Sequence, residues 1–252
     1  MNTEIKNAIQ AADSEAQYDE SAKRLLAQKY VLAHILVRTV EEFQGMEIEK
    51  VASLIEGDPY ISKVPVASGL TNKDRNVEGK RIVGLNTETG EKNEGLVRFD
   101  IIFYVRMRNG LAQMIINVEA QKDEPGSYQI LNRAIFYVSR LISSQKERDF
   151  VKSNYNDIKT VYSIWVCMNM PENSMCHIYL TKEDLLGKHN WKGNLNLVNI
   201  VMIGLTNALP ESHNEYGLHR LLCAMFSNDE KPELPRGEKL ELSRASKEKL
   251  KK

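Results

Sequence analysis

Residues 98–121, RFDIIFYVRMRNGLAQMIINVEAQ, constrain the fold more than any other stretch. Phe99 to Val105 and Met114 to Ala120 are rich in Ile, Val, Phe and Tyr, and each predicts a β-strand. Arg108-Asn109-Gly110 between them supplies turn chemistry, so the pair predicts an antiparallel hairpin. Asp100 interrupts the first apolar run and Glu119 the second. Side chains alternate along a strand, which puts Asn117, Glu119 and Gln121 on one face and Val118 and Ala120 on the other. A carboxylate in so apolar a strand is costly unless something pairs with it. A divalent metal ion is one such partner, and a hydrogen-bonded pair within the sheet is another.

The flanking sequence surrounds this hairpin with helices and further strands. Ser21 can cap a helix that continues to about Gln44, with Leu25, Leu32, Leu36, Val40 and Phe43 on its apolar face and Gly45 as its stop. A shorter helix is expected from Glu47 to about Ile55. Pro59, Pro65, Gly69 and Gly79 make residues 57–80 irregular. Arg81 to Asn86 reads as a short strand, and Thr87 to Gly95 as a polar loop. Pro125-Gly126-Ser127 opens a helix over Tyr128 to Lys146 that buries Ile130, Leu131, Ala134, Ile135, Val138, Leu141 and Ile142. Gln129, Arg133 and Arg140 fall on its polar side. Thr160 to Met168, Cys176 to Leu180 and Leu195 to Ile203 read as strands, and Glu215 to Phe226 as a helix. The expected organisation is a polar, partly ordered segment over 1–20, one α/β domain over 21–228, and a Lys-rich solvated tail over 229–252.

Composition narrows the function classes. An apolar fraction of 42% and a charged fraction of 27% fit an ordinary globular chain. The 34 basic and 34 acidic residues cancel, so an overall basic character does not mark this chain as a nucleic-acid binder, although a local basic groove is compatible with it. No apolar run is long enough to span a membrane as a helix, and the first residues lack a signal-peptide core. Cys167, Cys176 and Cys223 form no CxxC pair and read as small thiols in a reducing compartment. A cytoplasmic protein without membrane contact is the expectation. The five histidines make no close metal-ligand pair, and neither a phosphate-binding GxxxxGK[ST] nor a serine nucleophile elbow is present.

The pattern D-x(18)-E-x-Q, with the phrases VRFDIIFYV, INVEAQKDEPGSYQILNRAIFY and YSIWVCMN, resembles the PD-(D/E)XK nuclease superfamily. The branch it resembles is the PD-(D/E)XK family transposases and recombination-promoting (Rpn-like) nucleases, from about Ala22 to about Ser227. That resemblance implies a restriction-endonuclease-like αβββαβ core with a mixed central sheet flanked by helices. It also implies a metal-dependent DNA endonuclease that hydrolyses phosphodiester bonds with Mg²⁺ or Mn²⁺. DNA is the implied partner. RNA stays open as a substrate, and a homodimer is compatible with the pattern.

In this frame Asp100 and Glu119 supply carboxylate ligands, and the backbone carbonyl of Ala120 a third oxygen. Gln121 stands where the superfamily more often has Lys. Its amide can hold a water but adds no positive charge. The first core helix of such proteins often adds an acidic residue. At about 100° per residue, Glu41 and Glu42 fall on opposite flanks of the apolar face, which leaves both open; similarity to the family pattern favours Glu42. From the later helix, Gln129 and Arg133 are the implied substrate contacts, Arg133 through its guanidinium fork on a phosphate. The alternative is a decayed site that serves as a DNA-binding or protein-interaction module.

Overall fold

The structure is a computed structural model and describes residues 22–61, 88–90, 96–98, 100–108, 113–210 and 217–226. The hairpin expectation holds at its centre. β4 (Ile101–Arg106) and β5 (Gln113–Gln121) pair antiparallel, with Ile101 opposite Val118 and Arg106 opposite Gln113. They belong to a six-stranded mixed sheet of order β1-β4-β5-β6-β8-β7, where β1 is Tyr60–Ile61, β6 Val161–Cys167, β7 Ser174–Tyr179 and β8 Val198–Gly204. β5, β6 and β8 run parallel, and β1 and β7 close the two edges in antiparallel fashion. β2 (Glu88–Gly90), within the stretch read as a polar loop, and β3 (Leu96–Arg98), just after it, form a separate two-stranded ribbon.

Parallel strands must be joined by a crossover, and β5 reaches β6 through α3 (Ile130–Ser143). Strands covered on both faces lose the alternation of a half-exposed strand. Every residue of β6, VYSIWVC, is accordingly buried. One face of the sheet, carrying Ile101, Phe103, Met114, Ile116, Val118, Ile164 and Val166, packs under α1 (Lys29–Thr39), α2 (Ile48–Leu54) and α4 (Gly217–Phe226). The opposite face, with Ile102, Ile115, Trp165 and Cys167, packs under Ala134, Val138 and Leu141 of α3. The chain is therefore an α/β fold with helices on both sides of a mixed sheet. Among the described residues no helix is long and apolar enough to cross a membrane.

Three expectations change. The single helix from Ser21 to Gln44 is instead a helical turn at residues 22–26, then α1, then a 3-10 turn at Glu41–Phe43. Gln28 and Val40 take extended backbone angles at the two breaks. Breaking there lets Leu26, Val31, Leu32, Ile35, Leu36, Val40 and Phe43 all reach full burial, which one straight amphipathic stripe would not allow. Gly45 does end the segment, in the left-handed region at φ +73°. On α3, Leu131 and Ile135 are exposed, because the sheet covers only the Ala134–Val138–Leu141 line and those two side chains flank it. Arg140, expected on the polar side, is buried. The Ser21 cap, the expected strand at Arg81 to Asn86, the Asn109-Gly110 turn and the Lys-rich tail lie outside the described residues.

Candidate active site

The ends of β5 and β6 decide where polar chemistry collects. In open α/β sheets ligands bind beyond the carboxyl ends of the parallel strands. Glu119 and Gln121 occupy that end of β5, level with Trp165 and Cys167 of β6. β4 runs the other way, so Asp100, one residue before its start, comes to the same end. The two acidic residues expected to act together do meet. The Asp100 N–H donates to Glu119 Oε1 at 3.1 Å, and the Ala120 N–H donates to Asp100 Oδ2 at 2.9 Å.

Each carboxylate has a cation beside it. Lys23 Nζ lies 2.9 Å from Asp100 Oδ1, and Arg133 Nη2 lies 3.9 Å from Glu119 Oε2. Glu119 is only 1% exposed. Burial, and after it the charge of Asp100, hold its carboxyl well above the usual carboxylate range, against the opposing pull of the Asp100 N–H and of Arg133. Below Glu119 on the same face, Asn117 donates to Ser163 Oγ at 3.3 Å, and the Trp165 indole N–H donates to the same oxygen at 3.0 Å.

Arg133 is held from several sides. Its Nη1 donates to Tyr128 Oη at 3.0 Å and to Gln121 Oε1 at 3.3 Å, and its Nη2 donates to Tyr137 Oη at 2.9 Å. The guanidinium carbon lies 4.8 Å from the Tyr137 ring centre and 5.2 Å from that of Trp165. Gln121 completes the group by donating from Nε2 to the Asp123 carbonyl at 2.8 Å. A fixed arginine at the mouth of a carboxylate pair can receive an anionic oxygen in fork geometry.

The remaining expected residues divide. Gln129 is exposed at the N-terminal cap of α3 and lines an open cleft of about 530 Å³ between Glu124 and Leu131. Tyr128 joins that cleft to Arg133. Glu42 does not join the acid pair. Its Oε1 accepts from the Arg108 N–H at 3.0 Å, beyond the far end of β4 from Asp100. Glu42 lies in the 3-10 turn Glu41–Phe43 at that distant end, so the choice of Glu42, which rested on similarity to the family pattern and not on helix geometry, does not bring it to the pair. Lys23 is the residue that sequence reasoning missed. It sits 77 positions before Asp100 in an ordinary amphipathic stretch and carries no local signal of its role.

Among the described residues no group of three or more His, Cys, Asp or Glu side chains could hold a metal ion. Any ion here would rest on the two carboxylates with backbone or water oxygens. No family model matches the chain, and neither a curated protein nor a solved structure matches it.

Proposed function

We propose that this chain is a metal-dependent endonuclease with a restriction-endonuclease-like core, similar to the PD-(D/E)XK recombination-promoting nucleases, and that DNA is its substrate. The observation that carries this reading is the meeting of Asp100 and the buried Glu119 at the carboxyl end of the sheet, beside an arginine fixed by two tyrosines. Mg²⁺ or Mn²⁺ fits the donor set. Asp100 and Glu119 offer hard oxygens, and burial together with the neighbouring Asp100 disfavours the Glu119 carboxylate in a way that a bound cation would relieve. Ala120 turns its N–H toward Asp100. The N–H and C=O of one strand residue project to the same side, so its carbonyl offers a third oxygen there.

Such an ion, when bound, polarises a phosphate oxygen and acidifies a water. The protein's own groups do the rest. Asp100 and Glu119 anchor the cation, and Gln121 orients water through its amide. Arg133 neutralises a phosphate oxygen and keeps the charged group aligned through Tyr128 and Tyr137. Glu42 has no role in this reading.

Two features favour the second reading, a decayed site that binds DNA or a protein without cutting. Lys23 already balances Asp100, and the Gln121 amide is bonded at both ends, to Arg133 and to the Asp123 carbonyl. Single-turnover cleavage of supercoiled DNA by wild type, Gln121→Ala and Gln121→Lys at fixed Mg²⁺ separates the two. The nuclease reading expects active wild type, a loss of roughly ten- to a thousand-fold in Gln121→Ala, and retained or higher activity in Gln121→Lys. Inactive wild type with a Gln121→Lys variant that gains cutting supports the decayed site.

A further inference from the structure

We infer that the β7 edge and the arm that follows it, residues 180–197, form a docking surface for a second copy of this chain. Among the described residues β7 is the outermost strand of its edge, with β8 as its one strand neighbour. Natural edge strands are shielded by charge, proline, bulges or brevity. Ser174–Tyr179, SMCHIY, has no charged residue and no proline, runs six residues, and pairs with β8 without a bulge. All but one of its residues are exposed.

The arm adds apolar surface to this open edge. It leaves the sheet after Tyr179 and returns at Val198. Leu185 is 89% exposed, Leu186 98% and Trp191 76%, while Met175, Tyr179, Leu180 and Leu195 are about half exposed. The arm is stiffened from within. Lys182 donates to the His189 carbonyl at 3.1 Å and pairs with Asp184 at 2.8 Å, and the His189 and Trp191 rings meet at 4.6 Å. Summed over these residues the exposed surface is on the order of 1,000 Å², and an exposed apolar surface of more than a few hundred Å² marks an interaction site. A standard interface buries about 800 Å² from each partner, so the patch is large enough for a stable one.

Charge selects the occupant. A two-fold interface brings the same patch against itself, so a single-sign surface would repel its copy. The arm carries both signs, Lys182, Lys188 and Lys192 against Glu183 and Asp184, and can pair with itself. β7 itself carries no Lys or Arg, and Glu183 and Asp184 offset most of the arm's three lysines, so the surface lacks the strongly basic character that nucleic acid requires. A two-fold axis normal to the sheet makes β7 pair antiparallel with its copy and joins the two six-stranded sheets into one. Such an axis sets a residue opposite its own copy, and the two residues nearest the strand centre are Cys176 and His177. With Cys176 on the axis the two thiols face each other at about 5 Å. With His177 there they lie on a diagonal of about 7–8 Å. Cys176 is exposed, whereas Cys167 and Cys223 are buried. The arm leaves at the end of the sheet away from Asp100 and Glu119, because Val198 pairs with Val161 while Gln121 is level with Cys167. Each copy therefore keeps its acid pair open.

Mass measurement by light scattering, combined with a short bismaleimide cross-linker, tests this without reference to DNA cleavage. The expected mass is twice 28.8 kDa, with a covalent dimer in wild type. Cys176→Ser should lose the cross-link and keep the dimer. A Leu186→Asp, Trp191→Asp double variant should halve the mass while its circular dichroism stays that of wild type. A monomeric wild type overturns the inference, whether Cys176 then reacts with a thiol reagent or is shielded by the chain's own residues. A dimer that Cys176 does not cross-link also overturns it, as does one that persists in the folded double variant.

Discussion

Replacing Glu119 with Gln removes the charge from the most buried member of the acid pair while keeping its shape. The Gln oxygen can still accept the Asp100 N–H, and Arg133 keeps Tyr128, Tyr137 and Gln121. What disappears is a carboxylate that burial and Asp100 both disfavour. The sign follows from linkage. A carboxyl raised in the folded state above its ordinary value of 4.5 binds its proton more tightly there than in the unfolded chain. Stability from that proton is present below the unfolded value and is lost as pH rises through the folded one, at about 1.4 kcal/mol per pH unit across the window. At neutral pH without metal, Glu119→Gln should therefore stabilise the fold by about 1–3 kcal/mol, the scale of an incompletely compensated buried polar group. For a chain of this size that is about 2–4 °C in Tm per kcal/mol. Thermal melts from pH 4 to pH 9 in EDTA read both effects. Wild type should lose stability above about pH 4.5 relative to the variant. A variant less stable than wild type at pH 7, or one with the same pH dependence, would refute the account of this carboxyl.

Asp100→Asn should behave differently, because it removes the carboxylate 2.9 Å from the partly buried Lys23; urea melts should show a loss of about 1–3 kcal/mol, and no loss would mean that this contact is energetically idle. Arg133→Ala should weaken DNA binding, measured by fluorescence anisotropy, more than it lowers Tm. Arg140→Ala should do the reverse, since Arg140 is buried on α3 and its removal strips packed side-chain length from the helix. Equal effects at the two positions would remove the phosphate role from Arg133.

The sequence made the hairpin legible because its apolar runs and turn residues are local signals, and strand alternation alone put Glu119 and Gln121 on one face. The three-layer arrangement was partly legible from the order of helices and strands. Contacts that depend on where distant segments land were not. Lys23 reaches Asp100 only because the first helical turn packs over the start of β4. Glu42 was favoured by similarity to a family pattern while the helical wheel left Glu41 and Glu42 both open; neither gives a position along the sheet, and Glu42 lies beyond the far end of β4 from Asp100. The exposure of Leu131 and Ile135 likewise depends on how wide a strip of α3 the sheet covers, which apolar periodicity does not reveal.

On the proposed reading, Asp100 and Glu119 together hold a divalent ion with which the chain cuts a phosphodiester backbone. Cleavage of supercoiled plasmid by purified wild type and Glu119→Gln, each with Mg²⁺ and with EDTA, tests it most directly. The account predicts nicked and linear products only for wild type with Mg²⁺, with Glu119→Gln folded and inactive. Cutting by Glu119→Gln at the wild-type rate, or wild-type cutting that persists in EDTA, would contradict it.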